Sequence, residues 1–196
     1  MAAIAQTTLP APATRKPRRR AAAKPATVKL KKVAANLDAG GIKITYHRTA
    51  GVDDFVRRIS AATPMQLVEV ERQGVGGVLI KDLSRHMEIP ASRLFAILGL
   101  PKATAESKAS SGAVVRGNGG RAALGVVRLL GIAQTIVANS TAPEAKNFDS
   151  AKWLGQWLER PQPALGGRKP ADLIDTPTGL NVVARLLGSI ESGAYQ

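Results

Sequence analysis

Two histidines, no cysteine and fourteen carboxylates set the limits of the chemistry open to this sequence. The lack of cysteine excludes a thiol nucleophile, a disulfide and a cysteine-ligated zinc, and fits a reducing compartment. His47 and His86 lie far apart in the chain, with no carboxylate at a metal-ligand spacing, so no metal site is expected. Gly166-Gly167-Arg168-Lys169 has the look of a phosphate loop. It lacks the G-x-x-x-x-G-K-[ST] spacing, and Pro170 follows it. The glycine runs from Gly74 to Gly77 and from Gly117 to Gly120 have no preceding strand to make them dinucleotide fingerprints. No Ser-His-Asp order and no close acid pair stands out. The reading is therefore of a protein with no catalytic residues and no cofactor, not an enzyme.

Charge offers a different chemistry. The 196 residues carry a net charge of +14 and a sequence pI of about 10.8, which suits nucleic acid, an acidic surface or an acidic protein as partner. Much of the excess lies in residues 1–50, where Asp38 is the only acid against basic residues that include Arg15, Arg18, Arg19, Arg20, Lys24, Lys31 and Lys32. Four prolines and many alanines leave that stretch without apolar periodicity, so it is expected to be a flexible basic arm. Two readings of it stay open: a solubilising tail, or a clamp on DNA phosphates without sequence preference. A short alternating strand over Ile42-Lys43-Ile44-Thr45-Tyr46 is possible. The start is too polar for a signal peptide and no run of 18 apolar residues predicts a membrane span, so a cytoplasmic protein is expected.

Base-reading chemistry would need a rigid element to present it, and one pattern supplies it. Leu79, Ile80, Leu83 and Met87 share one helical face, and Leu94, Ile97 and Leu98 share the next. Between them Glu88-Ile89-Pro90 leaves room only for a tight turn, with Ile89 plugging the angle. That is a helix-turn-helix pattern, and its second helix would offer Ser92 and Arg93 to base edges, Arg93 to guanine. The pattern is degenerate: Glu88 stands where glycine is common and Pro90 where a capping serine is common. A helical hairpin kept for packing or dimerisation is the competing reading.

The surrounding elements follow from periodicity. Val52, Phe55, Val56 and Ile59 predict a helix with Asp53 and Asp54 at its favourable end. Thr63-Pro64-Met65-Gln66 predicts a capping box, and Gly74 the end of that helix. Residues 102–120, rich in Ser, Gly and Ala, are expected to be partly loop. The stretch from Arg121 to Ala138 is apolar almost all round, which predicts burial on several sides, with Gly125 and Gly131 admitting another helix closely and a dimer interface as the expected partner. Asp149 should cap a helix bearing Trp153, Leu154, Trp157 and Leu158 on one face, read as core anchors, and Pro161 and Pro163 should end it.

Residues 157–195 hold the most specific signal. Trp157-Leu158-x-x-Pro161 is followed by Leu165-Gly166-Gly167-x-x-Pro170, then by Leu173-Ile174-x-Thr176-x-x-Gly179. Thr176 and Pro177 open a last helix whose stripe is Val182, Val183, Leu186, Leu187 and Ile190. This order of motifs resembles the toxin-binding domain of the Xre/ParS/MbcA antitoxins. The resemblance implies a RES-domain toxin as partner, one that consumes NAD or transfers ADP-ribose from it. It further implies toxin contacts at Trp157, Arg168, Glu191, Ser192, Gly193, Ala194, Tyr195 and Gln196, because such antitoxins can end at the helix that reaches the toxin's active site. Glu191 and the terminal carboxylate could meet the positive groups of a pyrophosphate pocket, and Tyr195 its ring slot.

The expected fold is all-α. A flexible basic arm (1–50) precedes an Xre-like helix-turn-helix and dimerisation region (51–139) and a small helical toxin-binding domain (140–196). The expected function is an antitoxin that forms a homodimer, joins its toxin in a larger hetero-oligomer and represses its own operator, without any membrane partner. A stand-alone helix-turn-helix repressor is the alternative. A basic architectural protein would leave residues 157–195 without a purpose.

Overall fold

A computed structural model describes residues 43–191. The arm expected over 1–50 lies, up to residue 42, outside the described residues, as do residues 192–196 and the side chain of Glu191. Among the described residues the fold is all-α, with eight α-helices: α1 (Gly51–Ser60), α2 (Pro64–Gln73), α3 (Gly77–His86), α4 (Ala91–Ile97), α5 (Lys102–Ser111), α6 (Gly117–Asn139), α7 (Ser150–Leu158) and α8 (Pro177–Glu191). Two strands of two residues, β1 (Val75–Gly76) and β2 (Val114–Val115), pair antiparallel with Val75 opposite Val115. Residues 43–47 form no strand. Their alternation nonetheless shows in the packing, since Ile44 is buried and Tyr46 sets its ring edge-on to Phe55 at 5.6 Å.

Local chemistry explains the boundaries. All four apolar residues of α1 face the core. The capping box of α2 is closed by Thr63 N–H donating to Gln66 Oε1 at 2.9 Å and Gln66 N–H donating to Thr63 Oγ1 at 3.3 Å. Gly74, at φ 80°, ends the helix in a conformation that favours glycine. The turn between α3 and α4 has Glu88 at φ 51°, so a non-glycine residue takes the left-handed position at a cost of about 1 kcal/mol. Ile89 is buried in the angle.

The segment expected to be partly loop is mostly helix. In α5 alanine, lysine and glutamate are strong helix formers, and Ser110 and Ser111 turn their hydroxyls back onto the carbonyls of Glu106 and Ser107. Small residues bring α3 and α5 together: a Cβ on Gly77 would lie 2.5 Å from the Lys108 carbonyl oxygen.

Helix α6 is the central post. Its 23 residues include twelve buried ones, and it packs against α1, α2, α7 and α8. Both expected glycine contacts occur, and both neighbours are the chain's own. A Cβ on Gly125 would meet Leu180 of α8 at 2.4 Å, and one on Gly131 would meet the Ser60 hydroxyl at the end of α1 at 2.4 Å. The apolar character that suggested a dimer interface is thus used within one chain. By length and hydropathy α6 could cross a bilayer, yet 56% of its most apolar stretch is buried inside the protein, as in the core helix of a globular protein.

The C-terminal block folds along its motifs. Asp149 accepts from Lys152 N–H at 2.9 Å to cap α7. Gly166 and Gly167, at φ 64° and 79°, turn the chain so that Gln162 N–H reaches the Arg168 carbonyl at 3.0 Å. A 3₁₀ turn (Pro170–Asp172) follows. Thr176 then caps α8, accepting from Gly179 N–H at 3.1 Å. Residues on both sides of the 139/140 boundary contribute to one continuous core.

Candidate functional site

The turn between α3 and α4 and the C-terminal block meet along a shared seam, and that seam contains the residue singled out for reading bases. Arg93, in the first turn of α4, grips Glu159 at the end of α7 through two bonds, Nε to Oε1 at 2.6 Å and Nη2 to Oε2 at 3.1 Å. Lys169 Nζ donates to Oε2 of the same carboxylate at 3.3 Å, and Asp172 stands 3.9 Å from Arg93. The Arg93 bond, with help from Lys169 and against the opposing effect of partial burial, holds the Glu159 carboxyl below the usual carboxylate range.

Three more contacts brace the seam. Lys152 Nζ lies 2.8 Å from Glu88 Oε2. Gly155 of α7 lies flush on the turn, where a Cβ would fall 2.3 Å from the Met87 carbonyl oxygen and 3.2 Å from the Ile89 side chain. The N-terminal end of the expected reading helix is therefore docked on α7. Ser92 remains exposed. Arg93 is committed to a carboxylate through Nε and Nη2, so a two-bond contact with guanine would compete with Glu159.

Trp157, counted among the toxin contacts, lies inside. It is 6% exposed and stacks on Trp153 at 6.1 Å, so it supports the surface rather than forming it. Its spacing with Leu158 on the α7 face favoured the core, and packing bears that out. Arg168 is exposed on the Gly166-Gly167 turn, with its backbone carbonyl fixed by Gln162. Ser192, Gly193, Ala194, Tyr195 and Gln196 lie outside the described residues, and Glu191 is placed only as the last residue of α8.

Elsewhere the charged groups act as clips. Asp82 accepts from the Tyr46 hydroxyl at 2.8 Å and from Arg85 at 3.0 Å, which ties residues 43–48 to α3. Burial, followed by the bond to Asp82, raises the Tyr46 pKa well above the ordinary phenol value. Asp53 joins His86 at 3.0 Å and Gln134 at 2.8 Å. Among the described residues no group of three or more potential metal ligands comes together. The residues that sequence reasoning missed are Glu159, Lys169, Lys152 and Asp172. The Arg93–Glu159 pair spans 66 positions, and no local pattern signals a contact at that distance.

Residues 147–193, from just before α7 to just past α8, match the family described as the antitoxin Xre/MbcA/ParS C-terminal toxin-binding domain. With its helical body and this block, the chain belongs to the Xre/MbcA/ParS family and is the antitoxin of a toxin–antitoxin system. It is 34% identical over 134 residues to the Prs ADP-ribosylating antitoxin of Sphingobium sp. (strain YBL2), an alignment covering 68% of this chain and 83% of that relative.

Proposed function

We propose that this antitoxin neutralises a RES-domain toxin that uses NAD, by placing residues 191–196 in the toxin's active site. The observation that carries the reading is the extent of the toxin-binding match. It includes all of α8 and continues to residue 193. A pocket for NAD must offer cations to the pyrophosphate and a slot to a flat ring. Glu191 and Tyr195 have the charge and shape to compete for those two features. The relative's name speaks of ADP-ribosylation, a reaction for which NAD is the ordinary donor.

In the same proposal the antitoxin is a cytoplasmic homodimer, joins the toxin in a larger assembly and represses its own operator. The basic arm supplies phosphate affinity, and Ser92 and a released Arg93 touch the bases. Co-expression with the product of the adjacent open reading frame tests the pairing. The expected outcome is restored growth and copurification of the two proteins. A full-length chain that neither rescues growth nor copurifies refutes it, and the stand-alone repressor then takes its place.

A further inference from the structure

At the end of α8 the surface opens into a groove of about 270 Å³. Its walls include Ile136 and Val137 of α6, Ala145 of the 3₁₀ turn Pro143–Asn147, Phe148, Trp153 of α7 and Ile190 of α8. Of the residues lining it, only Ser140 and Glu144 are polar. Phe148 is 41% exposed, although its ring lies 6.0 Å from that of Trp153. Trp153 in turn stacks on the buried Trp157 at 6.1 Å. The groove thus presents a row of rings held from beneath, and an apolar surface already ordered loses little entropy when covered.

We propose that this groove receives a bulky apolar side chain of the toxin and anchors the toxin–antitoxin complex. The proposal rests on the antitoxin reading above and gives that interface a second, separate point of attachment. Three observations favour the toxin as occupant. Phe148, Trp153 and Ile190 all fall inside the stretch matched to the toxin-binding domain, residues 147–193. The groove also adjoins the last turn of α8, so one partner surface can cover it and receive residues 191–196. Its composition, aromatic and aliphatic with few polar groups, is that of an interface hot spot rather than of a charged-ligand site.

Binding of the purified product of the adjacent open reading frame, measured by calorimetry, tests this on three full-length variants. Phe148→Asp puts a charge on an exposed wall, Ala145→Trp fills the groove without changing charge, and Val68→Asp charges an exposed apolar residue of α2 outside the matched domain. Circular dichroism and melting curves confirm that each is folded. The expected result is a loss of at least about thirtyfold in affinity for the first two, the size of a hot-spot loss, and under threefold for Val68→Asp. Wild-type affinity in both groove variants overturns the proposal and leaves the antitoxin reading standing. A changed mass of the free chain by light scattering, with toxin affinity intact, assigns the groove to a second copy and also overturns it. If the wild-type chain itself does not bind, the toxin-pairing reading fails and the anchor with it.

Discussion

Replacing Glu159 with glutamine removes the charge from the seam while keeping the side chain's size. The wild-type carboxylate is 29% exposed and is held by a bidentate guanidinium and a lysine. An exposed pair is worth roughly 0.2–1 kcal/mol, and a bidentate geometry within a small network places this one toward or above the top of that range, at about 1–2 kcal/mol. For a chain of this size that corresponds to a fall in Tm of roughly 2–8 °C. The sign with pH follows from linkage. The folded-state pKa of Glu159 is depressed, so its stabilisation is complete above the unfolded carboxylate pKa and is lost as pH falls through the folded value. Melting curves of wild type and Glu159→Gln, recorded by circular dichroism from neutral to acid pH, should therefore differ at pH 7 and converge in acid. High salt should narrow the neutral gap. Equal melting temperatures at pH 7 refute the seam's contribution, and a gap that persists in acid shows that its source is not this charge.

Other perturbations probe separate parts of the structure. Gly155→Ala drives a Cβ against the Met87 carbonyl and should destabilise the chain by roughly 1–3 kcal/mol in urea unfolding, because backbone rather than a flexible side chain must move. In a Tyr195→Phe background, ultraviolet titration should show Tyr46 still un-ionised near pH 10, where a free tyrosine is about half ionised. Tyr46 ionising at that pH contradicts the half-buried bond to Asp82. A chain beginning at residue 43 should bind mixed-sequence DNA more weakly than the full chain. Its salt slope should be shallower by about 0.9 for each phosphate that the arm neutralises. An unchanged slope removes the arm from DNA binding.

How much was legible in the sequence depended on range. The capping box at Thr63, the caps at Asp149 and Thr176 and the four buried residues of α1 were all readable, because each is decided within one or two helical turns. The two small residues in α6 were recognised as points of close approach. Their partners, Leu180 and Ser60, lie on the chain's own helices, and apolarity alone does not distinguish an internal neighbour from a second copy. Helix α5 was missed because its alanine packing against α3 carries no large-residue periodicity. The seam was invisible for a related reason. Arg93 looked like a base reader while its carboxylate partner stood 66 positions away in another motif. The motifs in residues 157–195 pointed to the family, but they did not reveal that Trp157 is buried while Phe148 and Trp153 form the wall beside the last helix.

The proposed blockade of an NAD-using toxin can be read from NAD turnover itself. The purified product of the adjacent open reading frame is assayed for NAD consumption while being titrated with the full chain or with a chain ending at Ile190. The proposed mechanism predicts that the full chain abolishes turnover near equivalence, and that the shortened chain still binds through the rest of the domain yet leaves turnover running. Equal inhibition by both chains would contradict the role given to residues 191–196, and full turnover in the presence of bound full-length chain would contradict active-site occlusion altogether.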